Sequence, residues 1–421
     1  MKACLVALLC VAIFALSSCE KTKYDGDKVF RVVPNDEGQL AKLMAMTDYD
    51  VHEGKLSFWR SPSLVGQSSD VHVKADHVDA FSAFLGRNHI KFNVHVGDVQ
   101  RHMDVIDRFN NELKTFANNS IVGTFASHRD INNWLSQQCE KYSMITKCGS
   151  MGLSYENRDM RYIRIGKPAS SPKHAVYITA GIHAREWLSP ATMIWIMDHM
   201  LTNYGSDQDI TKMVDMFDWY VLPVTNPDGY EFTMSPDGDR LWRKTRSPNS
   251  IAKCPGTDGN RNYGFHWEAK KNPCAEDYPG HEAMSEKELQ NLGKFMASQN
   301  KTQPGLAFVD VHTYGDLWML VYAYAKKTYP ADYDEELRVA KIGADALMAV
   351  NNQKWTVGNV ADILYPAAGS SADFMKGMGY AKYSYGMELR GDNFIVPASD
   401  IVPSGKEVFA GFKAAVMAMK P

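Results

Sequence analysis

The sequence predicts a mixed α/β fold, in which a small βαββαβ open sandwich precedes a large unit whose sheet is covered by helices on both faces. Two observations favour this fold class. Apolar β-branched runs, among them 175–180 and 305–311, alternate with stretches of helical periodicity over residues 115–421. Shorter strands and helices follow the order βαββαβ between Lys28 and Val99. With 421 residues, 45% of them hydrophobic, the chain is long enough to bury a core in each unit.

The charge of the chain is nearly balanced, with 46 basic and 49 acidic residues and a formal net charge of -3. Proteins that bind nucleic acid or an anionic membrane electrostatically carry a strong basic excess. We therefore expect neither nucleic acid nor a membrane as a partner.

The first 19 residues have the three-part form of a secretory signal. Lys2 supplies a basic start, residues 3–16 are apolar, and the small residues Ser17 and Ser18 precede Cys19. A buried helix is the alternative interpretation, but the segment has no polar face. Because the apolar run is too short to span a bilayer, we predict cleavage near Cys19 and a secreted protein.

Residues 20–97 are predicted to form the small sandwich. Asp36, near the start of the first helical stretch, is typical of a helix N-terminus. No group of catalytic side chains is recognisable here, and the histidines, including His95, are predicted to lie on the surface. The predicted elements are strand 28–34, helix 36–48, strand 55–62, strand 71–76, helix 78–89 and strand 90–97.

A charged helix over residues 98–114 is predicted to connect the two units. Basic residues on an exposed connector are cleavage points for proteases of trypsin-like specificity. Arg108 and Lys114 are therefore candidate cleavage sites, and an ordinary interdomain linker is the alternative.

The large unit, residues 115–421, is predicted to be one domain without internal repeats. Its strands and helices alternate as expected of a sheet with helices on both faces. The predicted elements are helix 129–142, a hairpin over 154–166, strand 175–180, helix 190–204, strand 218–224 followed by the loop 225–230, a long irregular segment, helix 286–299, strands 305–315 and 317–324, helices 335–351 and 371–378, strand 382–391 and helix 407–419.

Four cysteines remain once the signal segment is removed, because Cys4, Cys10 and Cys19 fall within it. An oxidising compartment favours disulfides, and four cysteines allow three connectivities. Pairing between sequence neighbours is the simplest of the three, and free buried thiols are the alternative. The pairs would be Cys139 with Cys148 and Cys254 with Cys274.

His183 and Glu186 lie three residues apart on one loop, after a buried strand that ends at Gly181. Imidazole nitrogen and carboxylate oxygen are zinc ligands, and a catalytic zinc takes three protein ligands and leaves one position open. The pair alone is weak evidence, since a structural histidine gives the same spacing. His312 closes a second buried strand in the same manner and supplies the third ligand. Asp258 is the candidate acceptor that would orient one imidazole.

A zinc hydrolase also requires a base for the water and a positive group near the developing oxyanion. Glu388 ends a third buried strand, and burying a carboxylate that has no functional role would cost folding free energy. Arg243 lies in an irregular basic loop, and a solvated surface charge is an equally good interpretation of it.

Seven sequence blocks, in order along the chain, resemble the zinc metallocarboxypeptidases of the pancreatic A/B type. The blocks are HAREW, NPDGY, RLWRKTR, DGNRNY, VDVHTY, YPAAGSSAD and MELR. The likeness covers nearly all of residues 20–421. It implies a carboxypeptidase-like mixed sheet of eight strands, one zinc ion and hydrolysis of the C-terminal peptide bond of peptides.

The resemblance also implies a role for each matching residue. His183, Glu186 and His312 would bind the zinc ion. Glu388 would be the general base that activates the zinc-bound water, and Arg243 would polarise the scissile carbonyl and stabilise the oxyanion.

Substrate binding is implied in the same way. Asn260 and Arg261 would hold the free terminal carboxylate, onto which a planar guanidinium forks well. Tyr365 would close over the bound residue. Outer subsites would be lined by Arg185, Tyr314 and Phe394.

The resemblance also bears on the disulfides. The pair Cys254 and Cys274 matches the family's common disulfide, whereas Cys139 and Cys148 are not part of the general pattern.

The pocket for the terminal side chain is expected to be apolar. In the family, a preference for basic residues goes with an acidic side chain at the position of Ala372, and Ala323 lies at a second pocket position. With Val360 and Leu364 as further lining, a Lys or Arg side chain would be desolvated without a partner. We therefore expect aliphatic or aromatic C-terminal residues to be preferred.

The resemblance makes residues 20–97 a propeptide that covers the cleft, residues 98–114 the connecting activation helix and residues 115–421 the catalytic domain. The expected partners are peptides with a free C-terminal carboxylate, an activating trypsin-like protease and protein inhibitors. The enzyme itself is expected to be a monomer.

Three other classes of protein agree less well with the sequence. A non-catalytic protein that binds C-terminal carboxylates through Asn260 and Arg261 would lack a ligand or the base, and all of these are present. An aminopeptidase-type enzyme would need ligands for a second metal, which the sequence does not show. A serine hydrolase would need a G-x-S-x-G elbow, which is absent.

Overall fold

The computed structural model of the protein describes residues 21–49, 54–117, 120–251 and 253–421. The predicted signal segment, residues 1–19, lies outside the described residues. The small unit contains strands β1 (Lys28–Val33), β2 (Leu56–Arg60), β3 (Ser69–Val73) and β4 (Lys91–Val96) and helices α1 (Glu37–Tyr49) and α2 (Val78–Arg87).

The predicted βαββαβ order of the small unit is confirmed. Its strands lie in the order β2-β3-β1-β4, and neighbouring strands are antiparallel. Phe30, Leu43, Val71 and Leu85 form the centre of its core. Phe30 and Val71 come from the sheet, and Leu43 and Leu85 come from the two helices that pack on it.

The histidines of the small unit do not all lie on the surface, so that prediction is wrong for two of them. His72 is buried, and its Nε2 atom lies 2.9 Å from a carboxylate oxygen of Asp27. His95 is half-buried, and its Nε2 atom lies 3.1 Å from the carbonyl oxygen of Asp392 in the large unit. The packing of one unit on the other causes the burial of His95, and a strand pattern does not show such a contact.

The predicted connecting helix is present as α3 (Val99–Phe116). Asp98 caps it by accepting a hydrogen bond from the backbone N–H of Arg101. The buried side chains of its first turns join an apolar cluster that includes residues of the large unit. Arg108 is exposed in the middle of this helix, and Lys114 lies in its last turn.

The large unit alternates strands with helices as predicted. Its strands are β5 (Thr146–Leu153), β6 (Asp159–Ile165), β7 (His174–Ala180), β8 (Phe217–Leu222), β9 (Gly305–Thr313), β10 (Leu317–Leu320), β11 (Thr356–Asn359) and β12 (Tyr383–Leu389). Its helices are α4 (His128–Lys141), α5 (Leu188–Asn203), α6 (Gln208–Met216), α7 (Pro227–Met234), α8 (Lys287–Gln299), α9 (Tyr333–Asn351), α10 (Val360–Ile363), α11 (Ser371–Gly377) and α12 (Ile401–Ala418).

Eight strands of the described residues form one mixed sheet in the order β11-β10-β12-β9-β7-β8-β6-β5. The central strands β12, β9, β7 and β8 are parallel to one another. They are almost wholly buried, as expected of parallel strands that helices cover on both faces. The predicted fold class is confirmed, and the carboxyl ends of these strands meet at one edge of the sheet.

Several local predictions differ from the structure, including the start of α12, which lies at Ile401 and not at residue 407. The segment predicted as a loop after β8 begins helix α7, because Asn226 accepts a hydrogen bond from the Gly229 N–H and Pro227 occupies the first turn. Helix α6 and strand β11 were not predicted. Strand β10 ends at Leu320 instead of continuing to 324, and the hairpin starts earlier, at Thr146.

Two disulfides are present, and both join cysteines that are close in sequence. Cys139 pairs with Cys148, which ties α4 to β5, and Cys254 pairs with Cys274 within the irregular segment.

Among the described residues no helix combines the length and the apolar character that a bilayer span requires.

Candidate active site

His183 and Glu186 lie on the loop that follows β7. Gly181 ends the strand with a φ of 63°, a left-handed conformation that favours glycine. The Ala184 N–H then donates to the carbonyl oxygen of Arg243, which fixes the loop against the irregular segment. Both predicted ligands are buried at the carboxyl edge of the sheet as a result.

His312 reaches the same point from the neighbouring strand. Residues 180 and 311 pair in the β7–β9 ladder, so the two strands end side by side. Nδ1 of His183 lies 2.7 Å from Oε1 of Glu186, and Nδ1 of His312 lies 3.1 Å both from Oε2 of Glu186 and from Nδ1 of His183. No other group of three potential ligands occurs in the described part of the chain.

This donor set fits a zinc ion. Zinc bonds of about 2.05 Å in tetrahedral geometry separate two donors by about 3.3 Å, which is close to the separations in the triad. Two imidazole nitrogens and one carboxylate also leave a fourth position open, as a catalytic zinc requires.

Asp258 contacts two of the predicted site residues at once. One carboxylate oxygen lies 3.0 Å from Nε2 of His183, and the other accepts hydrogen bonds from Nε and Nη2 of Arg243 at 3.1 and 2.7 Å. Burial acts to raise the pKa of Asp258, but the charges of Arg243 and His183 outweigh burial and hold that pKa well below its usual range. Arg243 is therefore a buried ion-pair partner and not a solvated surface charge.

Glu388 lies beside His312, with which it pairs in the β9–β12 ladder. Its Oε2 atom is buried and has no hydrogen-bond partner among the described residues. Burial raises the pKa of the Glu388 carboxyl group to about 8, and the neighbouring charge of Glu186 acts in the same direction. A carboxylate that is buried and free in this way is available to exchange a proton.

Asn260 and Arg261 belong to a short 3-10 turn, Gly259–Arg261, which Asp258 caps. The side-chain oxygen of Asn260 accepts a hydrogen bond of 2.8 Å from the backbone N–H of Ser371. The amide nitrogen of Asn260 lies 3.2 Å from Nε2 of His312. The Arg261 guanidinium lies 5.9 Å from the ring of Tyr365.

Arg185, Tyr314 and Phe394 lie on the side of the cleft that faces the small unit. The Arg185 guanidinium is 4.3 Å from the Phe394 ring and bonds to Glu276 at 2.7 Å. Tyr314 packs edge-on against Phe394, with 5.0 Å between ring centroids. Its hydroxyl donates to Asp70 of the small unit at 2.7 Å.

One cavity joins these groups. Its apolar wall includes Ala323, Val360, Leu364 and Ala372, as the sequence predicts. The metal triad, Glu388, Arg243, Asn260, Arg261 and Tyr365 line the same cavity.

Two buried carboxylates in the wall were missed by sequence reasoning. Asp373 accepts hydrogen bonds from the backbone N–H groups of Ala323 and Tyr324, and burial raises its pKa to about 7. Asp310 lies two residues before His312 on β9. The two-residue period of a strand places Asp310 on the same side as that histidine, a signal that the sequence does contain.

A metal-dependent hydrolase is the class of protein that this fold and site define, because the triad would bind zinc next to a buried base and a buried guanidinium. A family model described as zinc carboxypeptidase matches residues 131–411, and one described as carboxypeptidase activation peptide matches residues 30–105. The chain belongs to the zinc carboxypeptidase family. It is the zymogen of a metallocarboxypeptidase, and a single zinc ion is the cofactor of this family.

Individual relatives match nearly the whole chain. Carboxypeptidase A2 of Mus musculus is 33% identical over 413 residues, covering 96% of each chain. Carboxypeptidase B of Bos taurus is 30% identical over 421 residues, covering 97% of each. The crystal structure of the carboxypeptidase A from Helicoverpa armigera is 25% identical with a TM-score of 0.83, covering 94% of this chain and 98% of that one.

Proposed function

We propose that the protein is secreted as a zymogen and that its mature form removes aliphatic or aromatic residues from the C-termini of peptides. The observation that carries this proposal is the single cavity in which the metal triad, Glu388, a carboxylate-binding pair and an apolar wall meet. An exopeptidase of this preference needs all four features.

His183, Glu186 and His312 would hold the zinc ion, which when bound lowers the pKa of a water molecule and polarises a carbonyl oxygen. Glu388 accepts a proton from the attacking water molecule at its free Oε2 atom and later delivers this proton to the leaving amine. Arg243 is held rigidly by Asp258, and its Nη1 atom lies 4.0 Å from Glu186. A guanidinium fixed next to the ligands stabilises negative charge on the substrate oxygen.

Asn260 and Arg261 give the reaction its restriction to the last residue. A guanidinium and an amide N–H₂ group bind a free carboxylate through charge-assisted hydrogen bonds. An internal peptide unit carries no such charge, so it would offer the Arg261 guanidinium no negatively charged partner. Tyr365 covers the bound residue, and Arg185, Tyr314 and Phe394 contact the peptide upstream.

The apolar wall supports the preference for uncharged side chains. The two carboxylates in the wall are already engaged, Asp373 by backbone N–H groups and Asp310 by hydroxyl groups. Neither has a free charge to offer a Lys or Arg side chain. Ala323 and Ala372 leave room for a large apolar one.

Activation would require removal of the small unit. Trp59 at the end of β2 lines the same cavity as the metal triad, so the small unit covers the cleft. We propose residues 20–97 as the propeptide, residues 98–114 as the activation helix and 115–421 as the catalytic domain. Cutting at Arg108 or Lys114 by a trypsin-like protease would release it, and protein inhibitors would bind the opened cleft.

The test is release of Phe, Leu, Lys and Glu from matched blocked dipeptides, before and after limited trypsin treatment, with and without a zinc chelator. We expect chelator-sensitive release of Phe and Leu only after trypsin. Glu388→Gln should lower kcat by a factor on the order of 10² to 10⁴ and keep the zinc content, because the amide cannot accept the proton.

The matched control is Glu282→Gln on the exposed surface, which should have the activity of the unmodified enzyme. Preferred release of Lys would overturn the assignment of the pocket and leave the enzyme class intact. Absence of any release from trypsin-cut, zinc-loaded protein would overturn the catalytic assignment.

A further inference from the structure

Asp310 is a buried carboxylate directly behind one of the metal ligands. It lies on β9 with 1% of its surface exposed, and its Oδ2 atom is 3.2 Å from Nε2 of His312. That nitrogen is on the side of the ring opposite to Nδ1, which faces Glu186 and His183. The contact therefore leaves the metal-facing side of the imidazole free.

Two other elements of the structure hold this carboxylate in place. Thr179 on β7 donates to Oδ1 at 2.8 Å, and Ser371 at the start of α11 donates to Oδ2 at 2.5 Å. Ser371 also lines the pocket for the terminal side chain. Because a carboxylate has four acceptor positions, these two hydroxyl groups leave capacity for the proton on His312.

Asp310 is the suitable acceptor for the Nε2 proton among the contacts of His312. The amide nitrogen of Asn260 also lies 3.2 Å from Nε2. The oxygen of that amide is engaged by the Ser371 N–H, so the N–H₂ group faces the ring and cannot accept a proton. A proton on Nε2 directed to Asp310 leaves the lone pair on Nδ1, which is what a metal ligand needs.

We propose that Asp310 is a positioning residue that keeps His312 in the tautomer with its proton on Nε2 and so presents Nδ1 to zinc. Asp258 stands in the same relation to His183, at 3.0 Å from its Nε2. Each histidine ligand thus has its own buried carboxylate. Through Ser371, Asp310 also connects this ligand to the wall of the specificity pocket. The inference rests on the zinc site of the proposed function.

The test compares the zinc affinity of the full chain in two variants. Asp310→Asn keeps the shape and removes the charge, whereas Thr179→Val removes one hydrogen bond from the same carboxylate and leaves its contact with His312 intact. Competition with a chromogenic chelator gives the zinc dissociation constant of each variant. We expect Asp310→Asn to bind zinc about 10-fold to 100-fold more weakly, and Thr179→Val to stay within about threefold of the unmodified chain because the charge remains.

A spectroscopic readout separates positioning from general damage to the fold. The visible spectrum of the cobalt-substituted protein reports ligand geometry, and it should change in Asp310→Asn and not in Thr179→Val. Equal affinities in Asp310→Asn and the unmodified chain, or equal losses in both variants, would overturn the inference. Failure of the unmodified chain to bind one equivalent of zinc would instead refute the proposed function itself.

A second measurement applies if Asp310→Asn does not fold. An experimental structure of the zinc-loaded unmodified protein should show Asp310 within hydrogen-bond distance of His312 Nε2. A separation above about 3.5 Å, the limit for a direct hydrogen bond, would overturn the inference.

Discussion

At the scale of a single residue, we expect Ala372 to decide which terminal side chain the pocket accepts. It lies half-buried in an apolar wall together with Ala323. We expect Ala372→Asp to raise kcat/KM for C-terminal Lys relative to Phe by a factor on the order of 100, because the ammonium group gains a partner in a desolvated pocket. Ala372→Asn has nearly the same volume without the charge, and it should not produce this shift. Unchanged Lys to Phe ratios in Ala372→Asp would show that the terminal side chain binds elsewhere.

Much of the candidate site is readable from the sequence because its residues follow buried strands. His312 ends a strand with a clear apolar run, Glu388 lies near the end of a second buried strand, and the strand ends of a parallel sheet meet at one edge. Asp310 was missed although its spacing from His312 places both on one side of β9. Asp70, which accepts the hydrogen bond from Tyr314, could not be predicted, because that contact depends on how the two units pack against each other.

Helix α8 carries a buried glutamate that should make the free energy of unfolding depend on pH. Glu288 in its first turn is fully buried, with one oxygen bonded to the Tyr155 N–H and the other unpartnered among the described residues. Burial raises the pKa of Glu288 from 4.5 to about 7, and the charge of Asp228 adds to this. The folded state therefore holds a proton that the unfolded chain gives up.

The sign of the pH dependence follows from that pKa. Since the folded pKa is the higher one, the stabilisation is fully present below about pH 4.5 and is lost as the pH rises through about 7. Relative to Glu288→Gln, the unmodified protein should lose on the order of 3 kcal/mol of unfolding free energy between pH 4.5 and pH 8. Urea unfolding at both pH values measures this, with the exposed variant Glu282→Gln as the control. If the unfolding free energies of the unmodified protein and of Glu288→Gln changed equally with pH, this prediction would be contradicted.

Helix α3 distinguishes the two candidate cleavage sites. Arg108 lies in the middle of the helix, and its Nε atom donates to the carbonyl oxygen of Asp104, whereas Lys114 is two residues from the end at Phe116. Cutting at Lys114 requires only the last turn to open, and terminal turns open most readily. We expect Lys114→Gln to slow activation by trypsin by about tenfold or more and Arg108→Gln to slow it less than twofold. N-terminal sequencing of the mature enzyme should begin at Thr115, and a start at Phe109 would contradict the prediction.

At the element scale, the sequence predicted the long periodic segments and failed where a few polar residues decide. Helix α9 and strand β9 were predicted to within about two residues, because apolar periodicity extends along their whole length. Helix α7 was taken for a loop, since its start depends on one side-chain cap at Asn226. Strand β11 is short and mostly polar at the edge of the sheet, so its pairing with β10 left no apolar pattern to read.

For the molecule as a whole, the contact between the two units is organised around one aromatic cluster. Trp59 of the small unit packs against Phe394 of the large unit, with 5.4 Å between ring centroids. Around it, Arg31 and His95 contact the carbonyl oxygen of Asp392, and His102 contacts that of Ile395. The loop that carries Phe394 thus serves both the predicted substrate subsite and the contact between the units.

Truncating a side chain of this cluster should weaken the contact between the small unit and the large unit. We expect Trp59→Ala to raise the activity of the uncut chain on a small blocked substrate by about 10-fold or more, because loss of a buried tryptophan from an interface costs about 2 kcal/mol or more. Phe92→Ala removes a side chain that is 39% exposed on the small unit and should leave the uncut chain inactive. Equal activity in the two variants would show that the cluster does not keep the cleft closed.

We expect the same cluster to delay the onset of activity after the chain is cleaved. Cutting α3 breaks one peptide bond, but the contacts of Trp59, Asp70 and His95 with the large unit do not depend on that bond. We therefore expect the severed small unit to stay bound until it dissociates and to rebind in a concentrated solution. A cleaved sample should remain inactive while it is concentrated and become active after dilution, so that the delay between cleavage and activity would depend on the protein concentration.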